Sequence, residues 1–380
     1  MKVLFLSHES SRTGAPIVLL EFLKWLKQNQ PQVKCDVLAL KPGELSGDFK
    51  EYTNAYLELK ESNEVELTFI QIAKKKGLKR LGLLKKEKNA SEIVLDEVKN
   101  RNPGVIYANS ILALDMGVRI KSMYPEIKLI CHVHELNTII KTSVSNFEEN
   151  SIYVDQWIAV SNMVKNSLIN NQNINSKLIE TVYEFSSNEI RNSYNSNSTN
   201  EFVVGGCGTV HWRKGTDFFI LVARHINSKY PELPIKFIWV GEISDFQKTI
   251  LIADLQKSKL EDKVFFTGHT NDPYSFYNKM SVFLLTSRED PFPLVALEAG
   301  KMGKPIIAFD KASGTIEFIV DDCGVVVDYM DVEAMAEAVV HYCKNSKVLN
   351  LHSKNIKDKF KSFSPEVICP QLYTLIVKNA

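Results

Sequence analysis

The sequence contains no C-x-x-C pair, and its six cysteines (Cys35, Cys131, Cys207, Cys323, Cys343 and Cys369) are scattered. That spacing speaks against a zinc site or a disulfide framework and for free thiols in a reducing compartment. No apolar run is long enough to span a bilayer. The opening "MKVLFLSHES" is too short in apolar residues for a secretory signal and lacks a small-residue cleavage site. A cytoplasmic location is therefore expected, with or without association at the cytoplasmic face of a membrane. Charge of one sign is missing too: 46 Lys and Arg stand against 45 Asp and Glu. No global field favours nucleic acid. Absent as well are a Walker A loop, an intact G-x-G-x-x-G, the G-x-S-x-G elbow of esterases and any D-x-D. Without a D-x-D, a divalent metal bridging a diphosphate is not expected, and no cofactor is.

What the chain does have is length and rhythm. Its 380 residues exceed one ordinary core and suit two domains. With 44% hydrophobic and 24% charged residues, the composition is that of a globular protein. Near-continuous apolar runs of strand length, "VLFLSH", "CDVLAL", "VIYANS", "KLICHVH" and "QWIAVS", alternate with helical patterns such as "IVLLEFLKWLKQN". Strands of that kind are buried on both faces, as in a parallel sheet covered by helices. The Asn- and Ser-rich stretch 188–202 reads as a linker. Beyond it the rhythm resumes with "FVVGGCG", "IKFIWVG", "VFFTG", "VFLLTS", "PIIAFD" and "GVVVD". Two βαβ arrays in series predict two Rossmann-like domains whose parallel sheets face across a cleft. One segment breaks the charge balance: residues 73–89 carry eight Lys or Arg and one Glu, with leucines interleaved. It reads as a solvated helix face or as a surface for anionic lipid.

The stretch "SREDPFPLVALEAG", residues 287–300, places one carboxylate, Glu298, inside an otherwise apolar helix. Pro293 suits the helix start, and the amides of Leu294 and Val295 have no intrahelical acceptor there. Positions 294, 295 and 298 share a face, so Glu298 should reach back toward whatever occupies that end. A buried carboxylate needs a partner: a sugar hydroxyl, a backbone amide, or a structural salt bridge. A second stretch, "GCGTVHWRKGTDFF" (206–219), is a basic turn between strand and helix. A third, "ICHVHEL", ends a strand with His132, His134 and Glu135, too few ligands for a convincing zinc site. In "SHESSRTGAPIVLLEF" a small residue, Gly14, sits where the first strand turns into a helix. Asn109, Ser110 and Ser161 lie at strand ends.

The segment "SREDPFPLVALEAGKMGKPIIAFDKASGTIEFIVDDCGVVV" resembles the core of the retaining glycosyltransferases of family 4, which have the GT-B fold. That family carries two Glu separated by seven residues, a following helix, a G-x-P-V/I strand and a G-G-x-x-E turn. The matching residues are Asp290, Glu298, "GKPIIA" and Ser313 to Glu317. The resemblance implies that Glu298 binds the ribose hydroxyls of a nucleotide sugar. Asp290 stands where the family has a Glu that contacts the donor sugar, shorter by one methylene, and Pro291-Phe292-Pro293 replaces G-F-G. Residues 206–219 resemble the family's G-R-L-x-x-x-K-G. Lys214 keeps its place on the diphosphate, Thr209 stands where the family has Arg, and Arg213 or His211 is the substitute. His134 matches a His facing the donor sugar. Gly14, Gly241, Thr270, Phe292, Leu294 and Val295 complete the implied donor site.

The resemblance thus implies an acceptor-binding domain over 1–187, a linker over 188–202 and a donor-binding domain over 203–362. A last helix, 363–380, would pack back on the first domain, with Pro370 breaking or kinking it. The implied activity is metal-independent transfer of a sugar, with retention, from a nucleotide diphosphate sugar, UDP- or GDP-linked, to a glycan or lipid-linked acceptor. Peripheral membrane contact through 73–89 would go with it. The rival readings are a GT-B sugar-nucleotide epimerase and a non-catalytic GT-B scaffold.

Overall fold

The computed structural model describes residues 1–59, 90–187, 201–320 and 322–380. The basic segment 73–89 and nearly all of the linker-like stretch lie outside them. The apolar runs become strands. The first sheet contains β1 (Lys2–Ser7), β2 (Lys34–Ala39), β3 (Ala55–Glu58), β4 (Val105–Asn109), β5 (Lys128–Val133), β6 (Gln156–Ala159) and β7 (Ile179–Thr181). Its order is β3-β2-β1-β4-β5-β6-β7. The second contains β8 (Phe202–Cys207), β9 (Ile235–Val240), β10 (Val264–Phe266), β11 (Val282–Leu285), β12 (Ile306–Phe309) and β13 (Gly324–Val327), in the order β10-β9-β8-β11-β12-β13. The first six strands of each sheet therefore follow one pattern, with the first strand central and a reversal between it and the fourth. That is the doubly wound order.

Pairing is parallel, with Leu4 opposite both Asp36 and Ile106, and Val204 opposite both Phe237 and Val282. Every residue of β4, β6, β11 and β12 is buried, which is why these strands read as unbroken apolar runs. The core beside the second sheet is aromatic: Phe219 packs edge-on against Phe237 and Trp239, and Phe218 against Phe309. Two edge strands, β3 and β7, have no counterpart among the runs read from the sequence. Both are short, and β3 is half-buried throughout.

The chain forms two compact units. One comprises Met1–Val133, Ser143–Trp157 and Thr374–Ala380; the other comprises His134–Thr142 and Ile158–Tyr373. The last helix spans Pro365–Lys378 with Pro370 inside it. The proline does not break it, because it removes only one N–H and Ile368, Cys369, Leu372 and Ile376 are buried around it. Among the described residues no helix is long and apolar enough to cross a membrane.

Candidate active site

In an open doubly wound sheet, ligands bind beyond the carboxyl ends of the strands where the order reverses. In the second sheet this point lies between β8 and β11, and the two motif stretches are the loops that leave those strands. Their backbones are joined: Arg288 N–H donates to the Arg213 carbonyl at 2.8 Å and the Thr286 hydroxyl to the Lys214 carbonyl at 3.1 Å. Arg288 is committed to this framework. Its guanidinium donates to the Trp212 carbonyl at 2.7 Å, pairs with both oxygens of Asp217 and lies 4.2 Å from the Phe218 ring centroid.

Gly215 makes the close approach feasible. It has φ +65°, and a Cβ there would lie 2.0 Å from the Thr286 carbonyl oxygen. Gly215→Ala is therefore expected to cost roughly 2–3 kcal/mol through strain and displacement of the joined loops. Thermal denaturation should record a fall of several degrees. Gly241 has a comparable reason: at φ +147°, its Cβ would meet the Gly208 carbonyl oxygen at 2.2 Å.

These loops bring two cations onto one carboxylate. Asp290 is buried; its Oδ1 accepts from Arg213 Nη1 at 3.0 Å, and its Oδ2 accepts from Lys214 Nζ at 2.7 Å and the Ser287 hydroxyl at 2.9 Å. Burial alone would raise its pKa, but Lys214 and Arg213 outweigh that and hold it below the ordinary carboxylate range. Both oxygens are thus bonded within the protein, by partners the sequence did not name. The shorter side chain stays beside the cations and orients them. Arg213 also donates to the Glu289 carbonyl at 2.9 Å. Thr209 is exposed, and His211 caps the turn by accepting from the Arg213 N–H at 3.2 Å. The second cation beside Lys214 is therefore Arg213.

Next to them runs the helix Leu294–Lys301. Its half-buried residues are Leu294, Val295 and Glu298, one face of the helix, while Ala296, Leu297, Ala299, Gly300 and Lys301 are buried. Among the described residues no acceptor is bonded to the N–H of Leu294 or Val295; the first bonded amides are those of Ala296 and Leu297, to the Pro293 carbonyl. Glu298 Oε2 accepts from the buried Tyr277 hydroxyl at 2.9 Å, and Cys207 Sγ lies 3.3 Å from the same hydroxyl. Burial raises the Glu298 carboxyl to about 7, against the opposing hydrogen bond from Tyr277. No group among the described residues is bonded to Oε1. Phe292 turns inward, its ring 5.4 Å from those of Tyr183 and Phe363 and 5.9 Å from that of Phe318. Thr270 accepts from the Asp272 N–H at 3.1 Å, closing a local turn.

Residues 201–345 match the family of the glycosyl transferases group 1. Among curated proteins, the chain is 32% identical over 106 residues to an uncharacterized glycosyltransferase of Haemophilus influenzae, covering 28% of this chain and 29% of that one. It is 24% identical over 200 residues to the capsular polysaccharide biosynthesis glycosyltransferase CapM of Staphylococcus aureus, covering 51% of this chain and 50% of that one. The matches thus span no more than about half the length of these relatives. Among solved structures, Anabaena HepE, in complex with UDP-glucose, superposes over 100% of both chains with a TM-score of 0.77 at 17% identity. The fold is GT-B.

In this GT-B chain the segment after β5 adds further polar groups to the second unit. The Thr138 hydroxyl donates to Glu289 Oε1 at 2.6 Å, tying residues 134–142 to the loop that holds Asp290. His134 Nδ1 lies 2.6 Å from Glu184 Oε1, and the His134 N–H donates to Glu135 Oε2 at 3.0 Å. His132 is separate: it is buried, with Nδ1 2.8 Å from the Tyr107 hydroxyl. Gly14 opens the helix Gly14–Asn29 of the first unit, and a Cβ there would meet nothing within 4 Å. Asn109 donates to the Ala15 carbonyl, while Ser110 and Ser161 cap the helical turns that follow them. Glu317 accepts from Asn162, the Met163 N–H and Tyr183. Sequence reasoning missed Tyr277 and Glu184, which belong to no motif, and Ser287, which opens the stretch 287–300 but was given no role there. Only Ser287 stands close to its partner in the chain.

Proposed function

We propose that this protein is a GT-B glycosyltransferase that transfers a sugar, with retention of anomeric configuration, from a nucleotide diphosphate sugar to a glycan or lipid-linked acceptor. The observation that carries the reading is the convergence of Lys214 and Arg213 on Asp290, in the loop that leads to the Leu294 and Val295 amides, which no acceptor among the described residues bonds. The two cations exceed the one carboxylate by one charge, so the site favours an added anion. The amides supply donors for phosphate oxygens, and Glu298 Oε1 supplies an acceptor for ribose hydroxyls. Charge that grows on the departing diphosphate would meet groups already fixed in place, the condition for electrostatic transition-state stabilisation.

The relatives support this choice: HepE is described in complex with UDP-glucose, and CapM by its place in capsular polysaccharide biosynthesis. A UDP-linked donor and a polysaccharide-type acceptor are accordingly part of the proposal, as is independence from a metal. Cytoplasmic location and membrane contact through residues 73–89 rest on the sequence alone and belong to it as well. No observation favours an epimerase or a scaffold.

Thermal shifts with UDP, GDP, ADP and their common sugars test the reading. A ligand at about 100 times its dissociation constant adds about 2.7 kcal/mol, which should raise the melting temperature by several degrees. Release of nucleotide diphosphate coupled to an acceptor-linked product would establish transfer, and the anomeric proton coupling of that product would establish retention. A folded protein stabilised by none of these ligands would end the transferase reading.

A further inference from the structure

The contact between His134 and Glu184 is not explained by stability. Each side chain is only 6% exposed, and the 2.6 Å separation is that of a charge-assisted hydrogen bond. Among the described residues Glu184 Oε2 is buried and has no partner, and His134 is the group bonded to this carboxylate. A buried ion pair of this kind is seldom more stabilising than apolar residues of the same volume. What it does supply is orientation, because the bond made by one ring nitrogen fixes which edge of an imidazole is presented and which nitrogen carries the proton.

The position of the pair gives that orientation a use. Four residues beyond His134, Thr138 is bonded to Glu289, the neighbour of Asp290, and Arg213 is bonded to both Glu289 and Asp290. Glu184 follows β7 and lies fifty positions from His134 in the chain. We propose that Glu184 is a positioning residue for His134, holding Nδ1 so that the ring acts on the donor sugar through Nε2. The inference rests on the transferase reading above.

Carboxylates acting on the imidazole include Glu184, from the segment after β7, and Glu135, beside it in the chain. Burial disfavours the imidazolium, but Glu184 and then Glu135 outweigh it, so its pKa lies above the ordinary 6.5. The ring therefore keeps its proton to higher pH than a free histidine, with Nδ1–H donating to Glu184.

The test follows His134 itself, in the full chain labelled with ¹³C- and ¹⁵N-histidine, with His134→Ala used to assign its signals. In Glu184→Gln the titration midpoint should fall by about one unit or more, because the charged partner is lost. With the donor found by thermal shift, kcat/KM of Glu184→Gln should be down about tenfold at pH 8 and close to wild type at pH 6. Glu184→Asp should restore part of the midpoint shift, and the nucleotide-induced rise in melting temperature should persist in both variants. An unchanged midpoint, or a loss of rate that is the same at every pH, overturns the inference. If the wild-type chain turns over no nucleotide sugar, the transferase reading fails separately, and a midpoint that still falls keeps the coupling between Glu184 and His134.

Discussion

Replacing Glu298 by alanine should abolish the nucleotide-dependent rise in melting temperature, while Glu298→Gln should make the ligand-free protein more stable than wild type at pH 8. The two results have separate causes, the first the loss of an acceptor and the second the ionisation of a buried carboxyl. In the folded chain the carboxyl is raised to about 7 from an ordinary 4.5, so the native state holds its proton more tightly than the unfolded state does. The group therefore lowers stability progressively as pH rises through that interval and by its full amount above it. A shift of that size corresponds to at most roughly 3 kcal/mol. Glutamine, which keeps the shape and cannot ionise, removes this term, so its advantage should be present at pH 8 and absent near pH 4.5. Alanine removes the proposed acceptor for ribose hydroxyls and leaves the buried Tyr277 hydroxyl without its partner oxygen, so it should be less stable than glutamine by about 1–3 kcal/mol. Chemical denaturation of the three proteins across pH 4.5–8, with and without nucleotide, measures all of this. A Glu298→Gln protein with the pH dependence of wild type would contradict the assignment.

Lys214→Ala is expected to have the largest combined effect on stability and rate. It removes one of two cations from a carboxylate that is 4% exposed, leaving Arg213 and the Ser287 hydroxyl to compensate the charge. Breaking one arm of such a buried pair costs about 3 kcal/mol. The loss of a cation beside the proposed diphosphate site should lower kcat by at least ~100-fold. Lys214→Ala with Asp290→Asn should recover much of the stability and none of the rate, since the stranded charge disappears but the cation is not restored. A double-mutant cycle read by denaturation and by nucleotide release separates the two. Additive stability losses would show that the Lys214–Asp290 contact carries no coupling. Because the folded pKa of Asp290 is depressed, its stabilising contribution should be complete above the ordinary value of 3.8 and lost as pH falls below it through the folded value. Acid titration of Asp290→Asn against wild type would show that difference.

The sequence by itself determined most of the strands and the class of both sheets, two parallel Rossmann-like arrays in series. Runs such as "VIYAN" and "IIAF" are apolar on both faces because both faces of β4 and β12 are covered, so hydrophobicity along a few residues carries the signal. The helix Leu294–Lys301 was equally legible, because Pro293 and a lone Glu298 among apolar neighbours are local facts. The edge strands β3 and β7 were not, since a short, partly solvated strand need not be apolar. The pairings were beyond reach too. Asp290 meets Arg213 and Lys214 across 77 and 76 positions, His134 meets Glu184 across 50, and Glu298 meets Tyr277 across 21. Nothing local in the sequence named the partners of Asp290 or Phe292. The tertiary structure gave one to two cations and the other to an aromatic cluster. Burial sets which charge must find a partner, but the partner is whichever group the packed loops bring within about 3 Å, and that distance exists only once the chain has folded.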